Sequence, residues 1–150
     1  MENDDIVITS AFRTAIGSLG GSLSSKTGPE LGSVTIKKCV EKSELKKEEV
    51  DMTYMGQALT TGAGQNPARQ AGILAGLSNE TTNITVNQVC GSGLASVALA
   101  YNSIKSGDGK VIIAGGQESM SNSPHYINVR KGIKMGDGKL KDSMIIDGLW

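Results

Sequence analysis

The sequence predicts an α/β fold in which helices cover the faces of a parallel or mixed sheet. Three observations predict it. Short β-branched runs alternate with segments of helical period from Asp5 to Ala114. The apolar content, 38% of residues, comes from aliphatic side chains, while aromatics supply only 3%. The 150 residues include 20 glycines, which suits layers whose backbones approach closely.

Taken in chain order, Ile6-Val7-Ile8 within Asp5 to Ala11 predicts a strand covered on both faces. A Gly/Ser-rich loop from Gly17 to Ser25 precedes Thr27-Gly28-Pro29-Glu30, where proline in the first turn and an early acid open a helix. In that helix Leu31, Thr35 and Cys39 share a packed face with Gly32, Ile36 and Val40, while Lys37 and Glu41 point away. Met52 to Ala58 is a short strand. Asn66 caps a second helix rich in small residues, which Gly76 ends. Thr82 to Gln88 alternates as a strand, Leu94 to Lys105 is an Ala-rich helix stopped by Gly107, and Lys110 to Ala114 is the next strand. The alternation breaks at Gly115-Gly116. The organisation expected is a domain over residues 1–120 and an excursion from the sheet over residues 121–150.

Composition removes several function classes. Fifteen basic and fifteen acidic residues leave no net field, so neither nucleic acid nor an anionic membrane surface is the expected partner. No apolar run reaches membrane-spanning length, and Met1-Glu2-Asn3-Asp4-Asp5 has the wrong charge for a signal peptide; a cytoplasmic protein is expected. Cys39 and Cys90 form no C-x-x-C pair and neither stands beside a histidine, so no metal site and no disulfide scaffold is expected.

Chemistry concentrates at Cys90-Gly91-Ser92-Gly93, between a strand and a helix. A side chain on such a turn projects into the ligand crevice of an α/β sheet, where unpaired helix amides favour a thiolate. Gly91 and Gly93 let a substrate carbonyl approach backbone N–H groups that stabilise an oxyanion. The bland alternative is an inert buried cysteine. A second alternative takes Gly91-x-Gly93-x-x-Ser96 as a dinucleotide fingerprint with Glu118 as ribose ligand, which leaves the cysteine unexplained. Cys39 reads as core packing and His125 as a loop histidine rather than a general base. Arg130, Lys131, Lys134, Lys139 and Lys141 read as a solvated hairpin.

Asn87-Gln88-Val89-Cys90-Gly91-Ser92-Gly93 resembles the nucleophile motif of the thiolases. Arg13-Thr14-Ala15-Ile16-Gly17, Gly64 to Gln70, Gly115 to Ser121 and Lys134-Met135-Gly136-Asp137 resemble further thiolase segments in the same order, from Ile6 to Leu149. The resemblance implies a layered α/β/α fold with a mixed sheet, here its amino-terminal half and the start of a lid or loop domain. It implies acyl transfer through a Cys90 thioester, the Cys90 backbone N–H holding the thioester oxygen: two acetyl-CoA condense to acetoacetyl-CoA, or the reverse. Coenzyme A thioesters are then substrates, with no further cofactor. Gly115 and Gly116 would pack near the site, Leu149 would line the pantetheine channel, the Gln65 to Gln70 region would contribute to a dimer, and Asn128 to Asp142 would pair dimers into a tetramer.

The departures count equally. Thiolases are more than twice this long, and their second half carries an Asn-Glu-Ala-Phe segment, a Gly-His-Pro histidine and a Cys-x-Gly cysteine that this sequence lacks. The isolated chain is therefore expected to be inactive and to expose apolar surface. Two further alternatives follow: a truncated fragment that is inert or serves only as an interaction module, and a longer-chain 3-ketoacyl-CoA thiolase. Lys134-Met135-Gly136-Asp137 resembles the short-chain branch more closely.

Overall fold

The structure is a computed structural model that describes residues 5–150. Three parallel strands, β1 (Met52–Gly56), β2 (Thr82–Val86) and β3 (Ile112–Gly116), form a sheet of order β2-β1-β3. Helices α1 (Gly28–Ser43), α2 (Pro67–Ala75) and α3 (Ser92–Ser106) connect and cover it. The fold class expected from the sequence is the one observed.

Alternation along β1 assigns the two faces. Met55 packs with Ile36 and Val40 of α1 and with Ala68, Ala71 and Ala75 of α2, so these helices share one side. Tyr54 points to the other side, where its hydroxyl meets the Ser103 hydroxyl of α3 at 2.8 Å. Full burial of a side chain such as Ile36 contributes about 1.5–3 kcal/mol, and small residues on α2 let it approach the sheet closely. Thr27 starts α1 with a capping box: its amide donates to the Glu30 carboxylate at 2.8 Å, and its hydroxyl accepts from the Glu30 amide at 3.3 Å. Asn66 caps α2 and left-handed Gly76 ends it, as the sequence predicts.

The first expected strand does not form. Residues 5–18 have no regular structure, and Val7 and Ile8 are 70% and 80% exposed. Ser10 donates to the Cys39 carbonyl at 3.1 Å and accepts from Ser43 at 2.9 Å, which tethers the segment to α1 instead of the sheet. The physical reason is that β propensity expresses packing against ladder neighbours, and among the described residues no strand pairs with this segment. A largely apolar cleft of about 670 Å³ lies beside it, lined by residues of segment 6–16, α1, α3 and β3.

β3 starts two residues later than its sequence pattern. Asp51 is the cause: its carboxylate accepts from the amides of Lys110 at 2.7 Å and Val111 at 3.0 Å, before the ladder begins. Its own amide donates to the Val111 carbonyl and its carbonyl accepts from Thr82, so one residue aligns the starts of all three strands.

Beyond β3 the chain makes a 3-10 turn (Met120–Asn122), a two-strand ribbon of β4 (His125–Tyr126) with β5 (Lys141–Asp142), and a π-helical turn (Ile145–Leu149). Asn122 ties this portion back by donating to the Ser24 and Lys26 carbonyls. Arg130, Lys131, Lys134, Lys139 and Lys141 are all exposed on the hairpin. Among the described residues, no helix is long and apolar enough to cross a membrane.

The bonds from Val111 and Lys110 hold the Asp51 pKa below its ordinary value of 3.8. A lowered carboxylate stabilises the fold above its unfolded pKa and loses that contribution as pH falls through the folded value. Asp51→Asn should therefore cost about 1 kcal/mol in urea unfolding at pH 7, with the difference from wild type closing as pH falls from 3.8.

Candidate active site

The carboxyl ends of β1, β2 and β3 lie together because the strands are parallel. Past β2, residues 87–91 turn directly into α3. Val89 adopts φ 49°, a left-handed conformation that strains a β-branched residue. Neighbouring bonds hold it there. The Asn87 side-chain carbonyl accepts from the Val89 amide at 2.9 Å. The Ser92 hydroxyl donates to the Val89 carbonyl at 2.6 Å and accepts from the Gln88 amide at 2.8 Å. Gly91 and Ser92 donate to the carbonyls of Gln88 and Val89.

Cys90 stands exposed on this turn, immediately ahead of α3. The first bond into the helix runs from Ala95 to the Gly91 carbonyl, so the amides of Gly93 and Leu94 precede the ladder at the positive end of a 15-residue helix. That end favours an anion.

Glycines set how near the turn comes to the sheet. A Cβ on Gly56 would lie 2.5 Å from the Ser92 carbonyl carbon, and one on Gly116 would lie 3.3 Å from the Gly93 Cα. Gly115 faces the opposite side, with Met55 as its nearest neighbour at 3.9 Å. Gly91 has φ near −80°, so it needs no left-handed freedom.

Glu118 follows β3 and is half-buried. Its carboxylate accepts from Ala58 at 2.7 Å and Leu59 at 3.2 Å, in the segment after β1. Burial pushes its pKa above the ordinary value, outweighing these two bonds. The alternative reading of Glu118 as a ribose ligand, set aside on the sequence, does not fit the structure either: both carboxylate oxygens accept from backbone amides. Ser96, the third position of that fingerprint, is fully buried and donates to the Ser92 carbonyl.

The remaining candidates lie elsewhere. Cys39 is half-buried on α1. His125 faces Asp142, with Nε2 3.7 Å from a carboxylate oxygen. Leu149 is exposed; its neighbour Gly148 packs against Leu59, and Asp147 accepts from Thr61, which docks the π-turn on the segment after β1. The 670 Å³ cleft does not include Cys90. Among the described residues no group of three His, Cys, Asp or Glu is placed to hold a metal ion.

Sequence reasoning missed Gly56 and the parts of Asn87 and Ser92. Asn87 carried a local signal, since an asparagine two residues before an amide closes an Asx turn. Gly56 carried none, because its role exists only once α3 crosses β1.

A parallel sheet covered by helices, with an exposed cysteine on a strand-to-helix turn at its carboxyl end, defines an α/β protein with a candidate reactive turn in the usual ligand crevice. Residues 6–150 match the N-terminal domain of the thiolases, and the chain belongs to that family. It is 54% identical over 147 residues to an acetyl-CoA acetyltransferase of Cupriavidus necator, covering 97% of this chain and 37% of that protein. An acetyl-CoA acetyltransferase of Rhizobium meliloti is 52% identical over 149 residues, 99% of this chain and 38% of that protein. A probable acetyl-CoA acetyltransferase of Escherichia coli is 46% identical over 147 residues, 97% and 37% of the two chains. The chain thus spans little more than a third of the length of these relatives.

The contact at Gly56 predicts a contrast between two glycines. Gly56→Ala should destabilise by about 3 kcal/mol in thermal or denaturant unfolding, because backbone must move. Gly93→Ala, whose Cβ meets nothing closer than 3.7 Å, should change stability by less than about 1 kcal/mol.

Proposed function

We propose that this chain is the nucleophile-bearing part of an acetyl-CoA C-acetyltransferase, with Cys90 as the residue acylated. The single observation that carries this reading is the exposed Cys90 on a strained turn at the amino terminus of α3. The Cys90 Sγ attacks the thioester carbonyl, the oxyanion meets backbone N–H groups including that of Cys90, and coenzyme A leaves as its thiol. The enolate of a second acetyl-CoA then attacks the acyl-Cys90, forming acetoacetyl-CoA and releasing the cysteine. The reverse is thiolysis. Coenzyme A thioesters are substrates here, and no other cofactor enters.

The condensation needs a base for the α-proton, and among the described residues His125 is engaged with Asp142 and Cys39 lies on α1. In this reading that step falls to the part of the relatives' length that this chain does not span. Residues 121–150 then begin the lid that receives coenzyme A, Leu149 meets the pantetheine arm, and the complete protein is a homodimer, or a homotetramer in which residues 128–142 pair two dimers. Similarity to the acetyl-CoA acetyltransferases supports the short-chain substrate over a longer 3-ketoacyl-CoA.

A second reading, an inert fragment or interaction module, is favoured by a different observation. Val7, Ile8 and Ile16 are exposed beside the apolar cleft, a surface that a self-sufficient domain would cover.

Incubation with radiolabelled acetyl-CoA, followed by peptide mapping, separates the two. The acyltransferase reading expects label on Cys90 well ahead of Cys39, with one coenzyme A released per label, and a loss of about a thousandfold or more in Cys90→Ala. Equal labelling of both cysteines, or none on Cys90 in a folded sample, would leave the inert reading standing.

A further inference from the structure

We infer that Glu118 is a positioning residue for the Cys90 turn, acting through Ala58 and Asn87; the inference rests on the proposed role of Cys90. A continuous set of hydrogen bonds connects them. The Glu118 carboxylate takes the amides of Ala58 and Leu59, at 2.7 and 3.2 Å. The Gln57 side chain donates to the Leu59 carbonyl at 2.9 Å, so the segment after β1 is held from both sides. This fixes the Ala58 carbonyl, which accepts from the Asn87 side-chain NH₂ at 3.2 Å. The other end of the same carboxamide accepts from the Val89 amide at 2.9 Å.

Two features make this more than a chain of contacts. The Asn87 carboxamide is planar, so one orientation must serve both partners, and the Ala58 carbonyl selects it. Val89, the residue it restrains, holds the left-handed conformation that presents Cys90 at the head of α3, and such a conformation persists only where its surroundings over-determine it. Asn87 is itself exposed, so its orientation is not set by packing.

The choice of residue at 118 also needs explaining. A half-buried carboxylate is costly, and Glu118 takes part in none of the described ion pairs. What it offers is two acceptor oxygens aimed at two successive amides, which a glutamine cannot match because its NH₂ would face an N–H. The function served is the shape of the segment after β1, and through it the aim of the nucleophile.

The test compares chloroacetamide alkylation rates of Cys90 and Cys39 in the same sample, in the protein as its own gene encodes it. Cys39 on α1 reports general loosening, so the ratio isolates the turn. Glu118→Gln, Asn87→Ala and Asn87→Asp should each lower the Cys90 to Cys39 ratio by about tenfold, with the Cys39 rate unchanged. Asn87→Asp is the sharpest of the three when rates are compared on the high-pH plateau of the alkylation profile, where its added charge no longer sets the thiolate population: it keeps the acceptor for Val89 and replaces the donor to Ala58 with an oxygen that repels that carbonyl. The double variant Glu118→Gln/Asn87→Ala should fall no further than the lower single, since both cut one path. A ratio within about twofold of wild type in Asn87→Asp, additive losses in the double variant, or a parallel rise of Cys39 would each overturn the inference. If Glu118→Gln fails to fold, exposed Asn87→Asp still decides. Chloroacetamide needs no acyl-CoA site, so failure of acetyl-CoA to label wild-type Cys90 would count against the proposed function and leave the alkylation result to judge the positioning role.

Discussion

The approach of α3 to the carboxyl ends of β1 and β3 is the constraint on which the rest of the site depends. Backbone meets backbone there: the Ser92-Gly93 start of the helix lies over Gly56 and Gly116 with no space for a Cβ at Gly56. A helix seated that closely brings its unpaired amides to the end of the sheet, and the turn feeding it must be short. Val89, in its left-handed conformation, is part of that short turn between Gln88 and Cys90.

Side-chain amides and a carboxylate tie the elements together at this end of the sheet. Gln117 donates to the Gln57 side chain at 3.0 Å and to the Pro67 carbonyl at 3.1 Å, joining the ends of β3 and β1 to the start of α2. Its side-chain oxygen is buried against Gly32 of α1 and has no hydrogen-bond partner among the described residues, so α1 also packs onto this amide pair. Next to it, Glu118 shapes the segment after β1. The opposite end of the sheet is arranged more simply, with Asp51 alone serving two amides of the incoming β3. The two acids respond oppositely: hydrogen bonds on an exposed site lower the pKa of Asp51, while burial raises that of Glu118.

The outer edge of β3 contrasts with this order. Among the described residues it has no strand partner, and the apolar segment 6–16 lies across a cleft from it, tethered to α1 by serine hydroxyls. Unpaired sheet edges are protected by being covered or kept short. Here the edge is short and glycine-ended, and the exposed Val7 and Ile8 remain without a sheet to join.

The sequence by itself determined what depends on neighbours in the chain. Thr27 with Glu30, Asn66, Gly76 and Gly107 marked helix ends, because capping is decided within a few residues. The strand–Cys–Gly–Ser–Gly–helix order marked the Cys90 turn for the same reason. Tertiary structure alone decided what depends on partners distant in sequence. Ile6-Val7-Ile8 has the composition of a buried strand and no ladder to enter, and Gly56 and Gly115 look alike until α3 is laid over one of them and Met55 against the other. Glu118 has no local signature at all, since its partners are 60 and 59 residues away. Hydrogen-bond satisfaction within a turn is local, whereas burial and close approach are properties of the assembled layers.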